Sequence, residues 1–155
     1  MHPELLDDPR LTVVGLFMEA HEGLTAKFSP HFQGHELSET EFEVLLRLAR
    51  TPGRRLRMSD LSAQTSLSTS GITRVVDRLE RAGLVARESC EDDRRGTWAR
   101  ITAAGSQRIG VVLPGHLEDV ERWFTGRLEP VQLNALTDAL RVVRDAVNPR
   151  AVAGG

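Results

Sequence analysis

From Asp8 to Phe28 apolar residues recur at Val13, Phe17, Ala20, Leu24 and Phe28, with Leu11, Val14 and Met18 on a neighbouring stripe. This spacing predicts a helix that Asp8 caps and Pro9 opens. A helix apolar over so much of its circumference needs cover on two sides, and in a short chain a second subunit is the natural source. Ser29-Pro30 through Gly34 breaks the pattern. Ser38, with Glu41 three residues on, forms a capping box ahead of Phe42, Leu45, Leu46 and Leu48, and Thr51-Pro52-Gly53 closes that helix. Met58 to Gln64 reads as a short helix and Thr65 to Leu67 as a turn. Ser68 or Thr69 then opens a helix reaching Ala82, with Gly83 placed for a left-handed terminus.

The period then changes. Leu84 to Arg87 and Thr97 to Ile101 read as short strands around the polar stretch Glu91 to Gly96, a hairpin with a charged tip. Thr102 suits the cap of a long helix carrying Ile109, Leu113, His116, Val120 and Phe124 on one face. Pro114 inside it removes the bond to the Gly110 carbonyl and is expected to bend it locally. A last helix starts near Pro130 with Leu133, Leu136, Leu140, Val143 and Val147 as its stripe, and Pro149 to Gly155 reads as a frayed tail.

Composition narrows the class. In 155 residues, 40% hydrophobic and 27% charged, the balance is that of a globular protein of one domain or two interlocked lobes. No signal peptide is visible at Met1 to Glu4, the longest apolar stretch (Ile109 to Leu113) is too short to span a bilayer, and Cys90 stands alone. A cytoplasmic protein with no membrane partner is expected. The net charge of −2 hides a local imbalance: Arg54 to Arg100 holds ten Arg against seven Asp or Glu, while the flanks are acidic. A basic centre fits a protein that touches phosphate with one region only.

The chemistry lies in that centre. On the helix after the turn, Ile72, Val75, Val76 and Leu79 must face a core, which leaves Ser70, Thr73, Arg74, Asp77, Arg78 and Arg81 on the opposite face. Short hydroxyls at a helix start bind phosphate with the help of the dipole, and an arginine can grip guanine O6 and N7 in the major groove. The hairpin tip Asp92-Asp93-Arg94-Arg95-Gly96 brings arginines to a second place, suited to the narrow minor groove, with Asp93 spaced to hold Arg95 by a salt bridge. A solvated amphipathic helix accounts for the first feature alone; both together point to double-stranded DNA.

The run from Leu67 to Arg87 resembles the recognition helix and first wing strand of the MarR family, and Asp93-Arg94-Arg95-Gly96 resembles its wing-tip motif. Ile101-Thr102 with Gly105 stands where that family has Leu-Thr and a nearby Gly, and Leu37-Ser38 to Leu48 is similar to its preceding helix. The resemblance implies a mainly α (α+β) fold, a winged helix-turn-helix with a helical dimerisation lobe. Residues 1–36 would give the first dimerisation helix, 37–102 the DNA-binding lobe, 103–148 the last dimerisation helices and 149–155 a flexible tail. It implies a homodimer whose two reading helices address half-sites of a pseudo-palindrome about 34 Å apart. Ser68, Thr69, Ser70, Thr73, Arg74 and Arg78 would meet DNA from the helix, and Asp93, Arg94 and Arg95 from the wing. Such regulators usually repress and are released by a small ligand where the lobes meet.

The ligand is less legible. No cofactor is required. For a phenolic or other small anionic effector, Arg10, Phe17 and His21 on the first helix are candidate lining residues; a packed histidine is the plainer reading of His21. For zinc, His31 and His35 are four apart, but Pro30 and Gly34 argue against a continuous helix there. Cys90 has acidic neighbours that disfavour a reactive thiolate, so it reads as structural. Trp98 and Trp123 read as packing residues. The chain lacks G-x-S-x-G, a Walker loop and H-E-x-x-H, so it is not expected to be an enzyme. The alternatives are a winged-helix protein-interaction module without specific DNA binding, and a metal-responsive regulator of the same fold.

Overall fold

A computed structural model of the chain describes residues 5–89 and 96–151. In chain order the elements are α1 (Pro9–Gly34), α2 (Glu39–Arg50), β1 (Arg55–Arg57), α3 (Met58–Thr65), α4 (Thr69–Arg81), β2 (Val85–Ser89), β3 (Thr97–Ile101), α5 (Ala103–Trp123) and α6 (Pro130–Val147). The caps are those the sequence predicts. Asp8 accepts from the Arg10 N–H, Ser38 and Glu41 form a reciprocal capping box, and Ser68 accepts from the Gly71 N–H. Each satisfies backbone donors that a helix start leaves without partners.

Two expectations need correction. α1 does not break at Ser29-Pro30 but runs on to Gly34. The missing proline N–H is outweighed by tertiary packing: Phe32 is buried, and the Leu37 N–H returns to the Phe32 carbonyl at 3.0 Å. Glu36 takes the left-handed conformation (φ 55°) that closes this turn, and buried Leu37 belongs to the same core as Phe32. The second correction is a third strand. Arg55-Leu56-Arg57 pairs antiparallel with β3, Leu56 opposite Ala99, so the sheet order is β1-β3-β2. Three residues with one apolar position carry no alternation long enough to read.

The core lies where α2, α3 and α4 meet the sheet. Val44, Leu45, Leu48, Leu61, Ile72, Val76, Leu79, Val85 and Ala99 are all nearly inaccessible. Burying each of the Val, Leu and Ile side chains among them contributes roughly 1.5–3 kcal/mol, which fixes α4 with its polar face outward. The outer helices behave differently. Leu11, Val13, Val14, Leu16, Phe17 and Met18 of α1 are exposed by half or more, and α6 has no buried residue. Past α6, Asn148 donates to Ser66 Oγ (3.3 Å) and Arg150 pairs with Asp60 (2.8 Å), so the chain up to Ala151 lies against α3. Among the described residues no helix is long and apolar enough to cross a membrane.

Candidate nucleic-acid interface

α3 and α4 are joined by a tight turn in which Ser66 is left-handed (φ 55°) and donates its N–H to the Ser62 carbonyl. Ser62 Oγ donates to the Leu67 carbonyl at 2.6 Å, which fixes the approach to the Ser68 cap. Ser68 is therefore occupied in holding the helix start, since its oxygen takes the Gly71 N–H at 3.1 Å and lies 3.2 Å from Ser70 Oγ. Thr73 spends its proton on the Thr69 carbonyl (2.7 Å) and presents its oxygen as an acceptor. Thr69, Ser70 and Arg74 are exposed, and Arg74 carries no ion pair among the described residues. One helix face thus offers hydroxyls in its first turn and an unpaired guanidinium one turn on.

Arg78 is tied elsewhere. Its Nε donates to Glu41 Oε1 at 2.7 Å, while Glu41 Oε2 holds the Ser38 N–H at 2.9 Å. Burial pushes the Glu41 carboxyl up, but the Ser38 N–H and the Arg78 guanidinium outweigh it and hold the group below its usual value. One carboxylate thereby joins the cap of α2 to the middle of α4.

Arg87 is a residue whose tie to α4 the sequence alone did not reveal. From β2 its guanidinium reaches Asp77 and Glu80 of α4, each at 2.6 Å, and its backbone N–H meets Glu80 Oε1 at 3.2 Å. Burial pulls its pKa down, and the two carboxylates more than reverse that. Arg87 neutralises two acids on the reading helix and fixes the wing strand to it. The signal was available: Asp77 and Glu80 are three apart and lie on one helical face, which calls for a cation. Thr102 ties the other side, taking the Gly105 N–H (3.0 Å) and donating to the Gly83 carbonyl (2.7 Å). Asp93, Arg94, Arg95 and Cys90 lie outside the described residues. Trp98 packs under the Arg55 and Arg57 guanidinium groups, and Trp123 under Lys27 and Arg127.

The remaining candidates fall in two places. Arg10, Phe17 and His21 come together on one apolar groove of about 880 Å³ between α1 and α6, where Leu136, Leu140 and Val143 form the facing wall. His31 sits in the last turn of α1 with Nε2 2.8 Å from the Val112 carbonyl, so that nitrogen is already committed. Its ring centroid is 5.0 Å from that of His35, and among the described residues no group of three or more His, Cys, Asp or Glu is placed to hold a metal. His116 of α5 is enclosed by Phe28, Phe32, Phe42 and His31; burial first, and His31 second, lower its pKa.

The fold is shared with known proteins. AbsC from Streptomyces coelicolor, a MarR family transcriptional regulator of known structure, is 34% identical, with a TM-score of 0.83 over 90% of this chain and 95% of its own. The chain belongs to the MarR family. The family model described as MarR family matches residues 35–96, the span from the end of α1 into the wing. Sco3205 from the same organism, a MarR family regulator solved in complex with DNA, is 31% identical (TM-score 0.82, covering 89% of this chain and 87% of that one). The repressor YetL of Bacillus subtilis is 31% identical over 58% of this chain, a match spanning 54% of YetL. This MarR-family chain is thus a DNA-binding transcriptional regulator, and its family is not one of enzymes.

Proposed function

We propose that this regulator is a ligand-responsive repressor that binds a pseudo-palindromic operator as a homodimer. The observation that carries the reading is the outward face of α4, where Thr69, Ser70 and Arg74 are exposed while the acids beside them are neutralised by Arg87. Ser70, Thr73 and Arg74 enter the major groove, and Arg95 with Arg94 and Asp93 serves the minor groove. Ser68 and Arg78 act chiefly through the cap and the Glu41 tether that hold α4 in place.

The dimer reading is supported by α1 and α6, whose apolar faces border one groove and find too little cover within the chain. Exposed apolar surface on this scale marks an interface, and a second copy presenting the same two helices supplies a matching face. Residues 1–36 and 103–148 then form the dimerisation lobe and 37–102 the reading lobe. On this reading Arg10, Phe17 and His21 line the interface between copies, where an effector would alter the spacing of the two reading helices. The protein works in the cytoplasm, where its operator is.

The test is selection of sites from a random duplex pool, followed by affinity measurements across a salt series. A palindromic winner bound at least about 10³-fold more tightly than a scrambled control supports the reading. Arg74→Ala should relax base preference, and Arg95→Ala should weaken binding without loss of folding. No enriched sequence, or full binding by both variants, would reject it and favour an interaction module.

A further inference from the structure

The end of α6 is set by a dipeptide. The residue before a proline is kept out of the helical region, and Asn148, followed by Pro149, leaves it at φ −146° and ψ 67°. The chain then turns: the Asn148 N–H still reaches the Arg144 carbonyl at 2.7 Å, and the Ala151 N–H returns to the Asn148 carbonyl at 3.0 Å. This turn carries two side chains across to α3. Asn148 Nδ2 donates to Ser66 Oγ at 3.3 Å, and Arg150 pairs with Asp60 at 2.8 Å. Asp60 lies in the first turn of α3 and Ser66 is its left-handed C-cap, so α3 is held near both ends, at points roughly 9 Å apart along its axis.

The two ties span a gap. A crevice of about 460 Å³, bordered by Leu46, Arg47, Gln64 and Arg144, separates the end of α6 from α2 and α3, and α6 buries no residue of its own. At this end α6 therefore meets α3 through polar contacts and not through a packed apolar surface. Such contacts fix distance and direction, and two of them on one short helix also fix its orientation. Arg150 is 60% and Asp60 41% exposed, so the ion pair adds little to folding and opens readily. From Ser66 the connection runs on to α4. Its N–H bonds the Ser62 carbonyl, Ser62 Oγ bonds the Leu67 carbonyl, and Ser68 caps α4.

We propose that Asn148 and Arg150 are positioning residues for operator recognition: the turn after α6 straps the dimerisation lobe to both ends of α3 and so sets how far apart the two reading helices stand. The inference rests on the homodimer reading, in which α6 belongs to the interface and α4 meets DNA. Neither residue touches DNA; each acts through α3 and the turn that leads to α4. A dimer with its straps open keeps the side chains of α4 and their base preference, but loses the fixed distance between its two readers. The effect falls on tolerance to half-site spacing and not on the sequence preferred within a half-site.

The test uses the full-length protein, the Asn148→Ala/Arg150→Ala double variant and Arg150→Lys. Each is measured on the operator selected from a random duplex pool and on versions with one base pair added or removed at the centre, a change of roughly 3.4 Å and a tenth of a turn. The parent should bind the altered operators at least about tenfold more weakly than the original, the double variant should bind all three within about threefold, and Arg150→Lys should follow the parent. Unfolding midpoints should stay close together, because the ties are exposed. In the free protein the Ser66 and Leu67 N–H groups, both bonded to the Ser62 carbonyl, should exchange with solvent faster in the double variant. A double variant as intolerant of spacing as the parent, or unchanged exchange at Ser66 and Leu67, overturns the inference. A parent with no preferred spacing overturns the homodimer reading itself, and that failure shows without any substitution.

Discussion

Gly105 offers a sharp test of how the wing is fixed to the reading helix. It is the third residue of α5 and is buried against the segment that joins α4 to β2. A Cβ there would collide with the Leu84 carbonyl oxygen and come within 2.7 Å of Ile101 Cγ1. The first neighbour is backbone and cannot rotate away. The same carbonyl accepts the Thr102 N–H at 3.0 Å, and Thr102 in turn holds the Gly83 carbonyl and the Gly105 N–H. Relief must therefore stretch one or two hydrogen bonds, each contributing about 0.5–1.5 kcal/mol, on top of an overpacking cost of about 1–3 kcal/mol. Gly105→Ala should destabilise by about 3 kcal/mol, a fall in Tm of roughly 6–12 °C for a chain of this length. Gly110, further along the same helix, is exposed, and a Cβ added there would meet nothing within 4 Å, so Gly110→Ala should stabilise by about 0.5–1 kcal/mol through helix propensity alone. Calorimetry at matched protein concentration reads both. A Gly105→Ala protein as stable as the parent, or two substitutions with the same sign, would refute the argument.

Arg87→Ala should weaken operator binding by about tenfold by leaving Asp77 and Glu80 uncompensated beside phosphate, yet cost no more than about 1 kcal/mol of stability because the pairs are partly exposed; unchanged affinity would show that the acids do not face DNA. Arg87→Lys should restore only part of the loss, since one ammonium cannot serve both carboxylates with the same geometry. His116 has a lowered pKa, so the unfolded chain takes up its proton first: stability from the neutral ring is full above the ordinary value of 6.5 and falls as pH drops from there through the folded pKa. In urea titrations from about pH 8 to about pH 5, His116→Phe should gain on the parent as pH falls, and a constant difference between the two would contradict the assignment. Leu140→Asp, on the α6 wall of the apolar groove, should shift the protein to monomer in sedimentation velocity and lower operator affinity; a dimer of undiminished stability would place the interface elsewhere.

What was legible followed from local chemistry. Ser38 with Glu41, Ser68 ahead of Gly71, and Thr102 ahead of Gly105 each announce a helix start through side-chain atoms only three residues from the donors they satisfy. The stripe Ile72, Val75, Val76 and Leu79 shows which face of α4 is buried, and so which faces out. What was hidden depends on partners distant in sequence. Pro30 looks like a helix break until Phe32 is seen in the core and His31 is seen bonded to Val112, 81 residues away. β1 exists because β3 offers it a ladder. Arg78 looks available for DNA until Glu41, 37 residues earlier, takes it.

That last case bears on the whole charge pattern. Counting charges between Arg54 and Arg100 gives a positive excess of only three, too small to explain attraction to a polyanion. Pairing changes its meaning. Among the described residues Arg55 and Arg100 converge on Glu88, Arg87 on Asp77 and Glu80, and Arg78 on Glu41 of α2, so these acids are consumed by arginines that build the lobe. Glu88 is held below its ordinary pKa first by Arg100, as expected of a carboxylate kept ionised by its neighbours. In the first half of α4 the cation left without an acid, among the described residues, is Arg74, one turn beyond the hydroxyls. On the proposed reading, a modest net charge is sorted so that paired arginines hold the scaffold and an unpaired one stands on the exposed face, where the local field would favour DNA. Removing an acid at Glu41 should therefore act in two ways: it loosens α4 and releases Arg78. Glu41→Gln should raise nonspecific DNA affinity, seen as a steeper salt dependence, while lowering discrimination between operator and control. If both specific and nonspecific affinities fell together, Arg78 would be a contact residue in its own right and the division between paired and unpaired arginines would fail.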